Sequence, residues 1–445
     1  MPILIPTNIY NKLRLAIYAY FFLILFDGIF RKWLLPSLSA PIMMLKQVAA
    51  IIICLIGFRY IKRMTRWEIS FFFVGIIVFA TTMIFGHGNL IVALYGCLPY
   101  WFGLPVCFFI GKILTEKDLN FFSKVIIYTS IANSILLIIQ FMLPPSHFLN
   151  YQGGEIREGI EYVSVSELAS IYRPAGIFMH NGHNALFMLL AISFTLYYLF
   201  YARNFIKRNI LITACILDVL ACFCAASRTT LILHIGFFIY FSFLNLKYLK
   251  KTIKYAFIGI VLLSFIILSP IGRKATNNLS NRFESVAIEQ MGHNTVIYGI
   301  IVEIIGRNIE YNIKALTNPE TIDGKPVPFW GYGQGMSTQI GGRILGIEEN
   351  QGFSLAEWDG LRTTCESGLI LGWIILFIRL GYVLKHIPSI RLFKKKNHYL
   401  PLIIYPTFVI SFFLIFTWGN VFLANFAFCS AGLFLNSLKY CNNGH

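Results

Sequence analysis

The chain has 445 residues, of which 57% are apolar and only 13% charged, with a net charge of +17. The apolar residues fall in long blocks, about 20 residues each, the length that crosses a bilayer as a helix; this excludes a string of soluble domains. No alternating segments of about ten residues point to a β-barrel, and the excess Lys and Arg sit in short loops between blocks, a positive-inside pattern rather than a nucleic-acid footprint.

In chain order, Lys12 and Arg14 accompany a first block over 13–30, which is expected to be a retained helix because no small-residue cleavage site follows it. A second block covers 40–57 and is followed by Arg59, Lys62, Arg63 and Arg66. Blocks three and four, 69–85 and 90–111, flank Gly86-His87-Gly88, and Lys112 and Lys117 follow. The fifth, 119–143, ends at Pro144-Pro145, and a polar loop leads to Arg173. The sixth, 176–200, precedes Arg203, Lys207 and Arg208. Only Ser227-Arg228 separates the seventh, 210–226, from the eighth, 229–246. Lys247, Lys250, Lys251 and Lys254 lead to the ninth, 255–270. The tenth, 367–384, is followed by Lys385, Arg391 and Lys394-Lys395-Lys396, and blocks over 400–416 and 420–438 close the chain.

The expected fold is all-α: a polytopic integral membrane protein of about twelve transmembrane helices, with both termini and the basic loops on the cytoplasmic side. Loops 144–174 and 271–364 then fall outside, and together they hold 14 of the 20 acidic residues. Helices one to nine occupy 1–270, the large extracytoplasmic loop 271–364 and the last three helices 365–445, as one integrated membrane domain.

Charges that break this pattern are the informative ones. Arg31 and Lys32 follow the first span, Arg173 precedes the sixth, Arg228 sits in a near-loopless break, and Arg282 and Arg362 belong to the long loop. A cation at bilayer depth is costly and faces a cavity or a partner. Several around one outer cavity suit a diphosphate, whose oxygens match Arg forks. The bland alternative is that Arg31 and Lys32 reach to the headgroups and that Arg228 satisfies helix-end carbonyls.

Trp358, Arg362 and Glu366 are four apart and share one helical face. Glu366 is the first candidate for a general base and His293 the second. The competing role for Glu366 is to pair with Arg362, with Asp359 pairing to Arg362 on the other side. Trp330, Tyr332, Glu357 and Trp358 are candidates to hold a glycan. Gly331-Tyr-Gly333-Gln-Gly335 is expected to be a flexible turn, and Gly368 with Gly372 a close helix approach. His386 and His398 are expected to be solvated. His180 and His183 lack the carboxylate of a metal motif, the nine cysteines form no disulfide framework, and neither a Walker A motif nor Asp-x-Asp occurs.

Five stretches together resemble bacterial O-antigen polymerase and O-antigen ligase membrane proteins, more closely the polymerase-like branch. They are Asp27-Gly-Ile-Phe-Arg31-Lys32-Trp33-Leu-Leu-Pro36, Arg173-Pro-Ala-Gly176-Ile-Phe178, Ser227-Arg228, Gly331-Tyr-Gly333-Gln-Gly335-Met-Ser-Thr338, and Glu357-Trp358 with Arg362 and Glu366-Ser-Gly368. Asp27 stands where that branch is expected to carry Glu. The resemblance implies a GT-C-like, metal-independent and cofactor-free glycosyltransferase of the bacterial inner membrane. Its donor is a glycan on undecaprenyl diphosphate, held by arginines, and a base in the large periplasmic loop activates the acceptor hydroxyl. The bilayer and the lipid-linked glycan are the implied partners, with room for a chain-length regulator and none for nucleic acid. The rival readings are a ligase, which carries finished glycan to lipid A core or protein, and a lipid-linked oligosaccharide flippase. His293 does not sit in the ligase branch's histidine motif, and no internal repeat of a transporter is evident.

Overall fold

The computed structural model describes residues 7–60, 64–151, 173–202, 205–245, 268–291, 313, 316–318, 326–336, 338–346, 359–396, 398–414 and 421–440. Among these, the regular elements are all helical. Seven stretches are long and apolar enough to cross a membrane: Asn8–Leu34, Pro36–Arg59, Arg66–Ile84, Leu90–Ile113, Glu116–Met142, Asn181–Phe200 and Leu369–Lys394. This is the make-up of a multi-pass membrane protein. Arg228–Leu244 and Leu400–Phe413 are shorter apolar helices, and most of the ninth apolar block lies outside the described residues.

The helices are α1 Thr7–Ile29, α2 Ser39–Tyr60, α3 Arg66–Ile84, α4 Leu90–Leu98, α5 Leu104–Ile113, α6 Glu116–Met142, α7 Asn181–Phe200, α8 Arg208–Cys224 and α9 Arg228–Leu244. Then come α10 Pro270–Met291, α11 Gln339–Ile344, α12 Asp359–Ser367, α13 Leu369–Leu384, α14 Ile387–Lys395, α15 Leu400–Val409 and α16 Val421–Tyr440. Wider π turns extend three of them, at Phe30–Leu34, Pro99–Gly103 and Ile410–Leu414. The chain groups into two units, one of Met1–Ile24, Met43–Leu119 and Ile304–His445, the other of Leu25–Ile42 and Asn120–Glu303.

In the first unit, α4 and α5 form one span through the π turn that begins at Pro99. Proline lacks an N–H and its ring presses on the carbonyl one turn back, and a wider turn relieves both. Packing of α5 on α16 relies on missing side chains. A Cβ on Gly103 would meet the Phe428 ring at 2.6 Å, one on Gly111 the Leu435 Cβ at 2.8 Å, and one on Gly432 Ile110 at 2.7 Å. In lipid no water is released between helices, so such close approach supplies much of the attraction. At one end Asn436 Nδ2 donates to the Leu114 carbonyl at 2.7 Å. A capping box starts α3: Glu68 N–H donates to Thr65 Oγ1 at 3.3 Å and Thr65 N–H to Glu68 Oε2 at 3.1 Å. The same carboxylate holds Lys112 Nζ at 2.5 Å. His386 is not solvated as expected. It is 9% exposed and lies edge-on to Tyr382, Phe408 and Phe434, with ring centroids 5.3 to 5.6 Å away.

In the second unit, α7 is wrapped by neighbours, with 83% of its most apolar window buried. Asn133 of α6 donates to Asn184 Oδ1 of α7 at 2.9 Å. His180 caps α7, its Nδ1 accepting from Gly182 N–H at 3.1 Å, so the sixth helix starts five residues later than the apolar block suggests. The first part of the long polar stretch is helix α10, which packs on α8.

Candidate functional site

In the first unit the polar helix α12 runs directly into the apolar α13. All nine of its residues are buried. The Thr363 hydroxyl donates to the Asp359 carbonyl at 2.6 Å and the Thr364 hydroxyl to the Leu361 carbonyl at 2.8 Å, so neither hydroxyl is left bare. Arg362 Nε lies 3.5 Å from Glu366 Oε1, one helical turn apart, with 5% and 2% of the two side chains exposed. Burial lowers the pKa of the Arg362 guanidinium, and the charges of Glu366 and Asp359 oppose that shift. Between them on the chain, the Cys365 thiol is pushed up to about 12, by burial first and then by the Glu366 charge.

Asp359 acts on Arg362 through its charge and also has a partner that the sequence spacing does not suggest: Arg379 of α13, whose Nη2 binds the Asp359 carboxylate. Arg379 is wholly buried, and its Nε also donates to the Phe412 carbonyl at 2.8 Å. Arg362 has a carboxylate one turn away on its own helix. Arg379 lies in an apolar span and its ion partner comes from α12.

The glycine segment is pinned on two sides rather than flexible. Tyr332 N–H donates to the Cys365 carbonyl and Gly333 N–H to the Glu366 carbonyl, both at 2.9 Å. These are end-of-helix carbonyls, which α12 cannot satisfy within itself. On the other side His87 N–H donates to the Tyr332 carbonyl at 3.1 Å, and Gln334 N–H to Thr82 Oγ1 at 2.9 Å. His87 Nε2 donates to the Gln334 carbonyl at 3.1 Å while its Nδ1 accepts from Asn89 N–H at 3.0 Å, which fixes the ring proton on Nε2. Gly331, Gly333 and Gly335 have φ of 78°, 104° and 86°, values that other residues adopt at a cost. Trp330 stacks on Phe85 at 4.7 Å and 13°, and remains 42% exposed. The Tyr332 hydroxyl donates to the Pro326 carbonyl at 3.3 Å. Gly372 meets Thr364 closely enough that a Cβ would stand 2.6 Å from it, the close approach expected of that glycine.

In the second unit, two stretches that the sequence singled out lie together. Lys32 is 2% exposed, and its Nζ donates to the Gly176 carbonyl at 3.0 Å. It neither reaches the headgroups nor faces an open cavity. A Cβ on Gly28 would lie 2.0 Å from the Ile177 carbonyl oxygen. Gly176 has φ +60°, and its N–H donates to Gln140 Oε1 at 2.9 Å. Arg31 is half-buried, donates from Nε to Ser39 Oγ at 2.9 Å and lies 3.5 Å from Asp27. Arg173, also half-buried, precedes the turn at 176–180 that leads into α7.

Arg228 opens α9, and Ser227 Oγ caps that helix by accepting from Thr230 N–H at 3.3 Å. The chain turns through Ala226 at φ +47°. The last turn of α8 is closed by backbone, Ala225 N–H donating to the Ala221 carbonyl at 2.8 Å. A half-buried cation at the positive end of a helix is poorly placed for the helix itself and well placed for an anion. Arg282 lies on α10, with its side chain outside the described residues, as are His293, Glu357 and Trp358.

The sequence reading missed a second buried polar pair. Asp218 of α8 lies 3.2 Å from His234 Nε2 of α9, and the ring's Nδ1 faces the Thr230 carbonyl at 2.7 Å. Both residues stand alone in apolar blocks, and that isolation is the signal that would have found them. Among the described residues no three His, Cys, Asp or Glu gather as metal ligands. No protein-family model matches the chain, and no curated protein matches it significantly.

Proposed function

We propose that this chain is a polysaccharide polymerase of the bacterial inner membrane. It transfers glycan from undecaprenyl diphosphate to the next lipid-linked repeat unit at the periplasmic face. In this reading the chain spans the membrane twelve times with both termini cytoplasmic, and α10 to α12 belong to the large extracytoplasmic loop. The observation that carries it is α12: a helix with Asp359, Arg362 and Glu366 buried beside the membrane, held by a glycine turn of the kind seen in the resemblance. Charges are not kept in such a place by packing alone.

Arg31, Arg173 and Arg228 take the diphosphate, with Arg282 as a fourth candidate. Lys32 drops out of that set, because the Gly176 carbonyl engages its ammonium. Diphosphate is already a good leaving group, so positioning and charge stabilisation carry much of the rate. Glu366 is the base and Arg362 orients it; the 3.5 Å pair is the contact that an orienting role requires. Trp330 and Tyr332 form the glycan platform, and no metal or cofactor takes part.

The test is the lipid-linked glycan profile of a clean deletion. A single repeat unit on undecaprenyl diphosphate, restored to polymer by the wild-type chain, supports the reading. Long polymer stranded on the lipid would make the chain a ligase, and units trapped on the cytoplasmic side a flippase. Arg228→Ala is expected to abolish chain lengthening at normal membrane levels of the protein; normal polymer from that variant would remove the diphosphate assignment.

A further inference from the structure

Arg379 has no water to turn to. Its guanidinium is 0% exposed within the span Leu369–Lys394, and each donor side is occupied. Nη2 binds the Asp359 carboxylate, Nη1 donates to Thr363 Oγ1 at 3.4 Å and Nε to the Phe412 carbonyl at 2.8 Å. Asp359 and Thr363 are four apart, so they present one face of α12. Phe412 lies in the π turn Ile410–Leu414, where a widened helix turns a carbonyl off its ladder. The fork thus joins three elements: α12, α13 and the π turn.

We infer that Arg379 is a positioning residue, a latch that holds α12 in register on α13 and thereby fixes the Arg362–Glu366 pair. Its consequence for catalysis rests on the polymerase reading; the latch does not. Gly372 explains why the register must be held. Thr364 seats where a side chain at 372 would stand, so α12 slides or lifts only by losing that contact. Lysine in place of Arg379 keeps the charge but reaches one acceptor where the fork reaches three.

Cys365 reports the latch without reference to activity. It is 0% exposed and lies on α12 between Arg362 and Glu366. The experiment labels the purified full-length protein in detergent at pH 8 with a maleimide and reads each cysteine by mass spectrometry. Cys107 and Cys429, buried elsewhere in the same unit, serve as internal controls. The expected result is about a tenfold or greater rise in Cys365 labelling in Arg379→Met and Asp359→Asn, with a smaller rise in Arg379→Lys and the controls unchanged. In cells carrying the deletion, chain lengthening falls about a hundredfold in Arg379→Met and is partly rescued in Arg379→Lys.

A protected Cys365 in Arg379→Met overturns the latch. Labelling of all three cysteines together also overturns it, because the pair would then support the whole unit and not α12. Opened Cys365 with normal polymer removes the positioning role and leaves the polymerase reading standing. If the wild-type chain itself restores no polymer, that reading fails while the labelling contrast still supports the latch.

Discussion

At the residue scale, the structure separates cations by what holds them. Lys32 and Arg379 are enclosed, whereas Arg31, which Asp27 and Ser39 engage, and Arg173 and Arg228 are half-buried. Lys32→Met is therefore expected to keep chain lengthening and lower thermal stability in detergent, while Arg31→Met is expected to lose polymer. Equal loss of polymer in both, at equal stability, would return Lys32 to the diphosphate set. For the buried pair, Glu366→Gln keeps shape and removes charge. It is expected to lower chain lengthening about a hundredfold or more, as loss of a general base does, and leaves Arg362 desolvated without its carboxylate. The chain-lengthening assay reads this directly, and near-normal polymer from Glu366→Gln would remove the base assignment.

The residue scale also shows what spacing reveals. Arg362 and Glu366 are four apart, and the sequence predicts their contact. Asp359 stands three before Arg362, within helical reach, but its bond to Arg379, 20 residues on, is not predicted by spacing. Helical spacing describes one surface, and Arg379 reaches α12 from another helix. What the sequence does show is a lone Arg in an apolar span, which demands a partner without naming it. The same holds for Asp218 and His234.

At the scale of elements, the two stretches 27–36 and 173–178 are legible as motifs but not as neighbours. Glycine joins them. Gly28 admits the Ile177 carbonyl at a distance that no side chain tolerates, and Gly176 adopts the left-handed turn that aims its carbonyl at Lys32. Gly28→Ala forces the helix and turn apart and is expected to cost about 1–3 kcal/mol, the usual range for overpacking a filled site. Reversible unfolding of the purified chain measures it, and an unchanged midpoint would refute this packing. Helix ends were less legible than helix middles. The sixth block reads as apolar from Gly176, but His180 caps the helix and the preceding residues are a turn. The glycine segment was misread as flexible because Gly shows only that φ is free, and not that neighbouring carbonyls claim the N–H groups.

At the scale of the whole molecule, charge asymmetry sets the orientation. The excess of basic residues lies between blocks and most acids lie in two loops, and on the proposed topology the positive-inside rule has the termini cytoplasmic. Phosphatase fusions test this: a fusion after Gly324 is expected to be active and one after His445 inactive. An active C-terminal fusion would invert the topology and take the proposed site with it. The fold class was legible because bilayer thickness imposes length and apolarity on each crossing. The pairing of helices was not, since lipid-facing and protein-facing residues are both apolar.

The π turn at Pro99–Gly103 divides one span into two phases. Before it, Gly96 admits the glycine segment, a Cβ there lying 2.4 Å from Gly335 N; at its last residue and beyond, Gly103 and Gly111 admit α16. A π turn amounts to one residue inserted into an α-helix, and one residue is worth about 100° of rotation. The span therefore acts as a phase shifter between two partners that a regular helix would not meet together. Deleting Trp101 would make the helix more regular and the protein worse: whichever half keeps its partner, the other turns its glycines away and presents bulky side chains in their place.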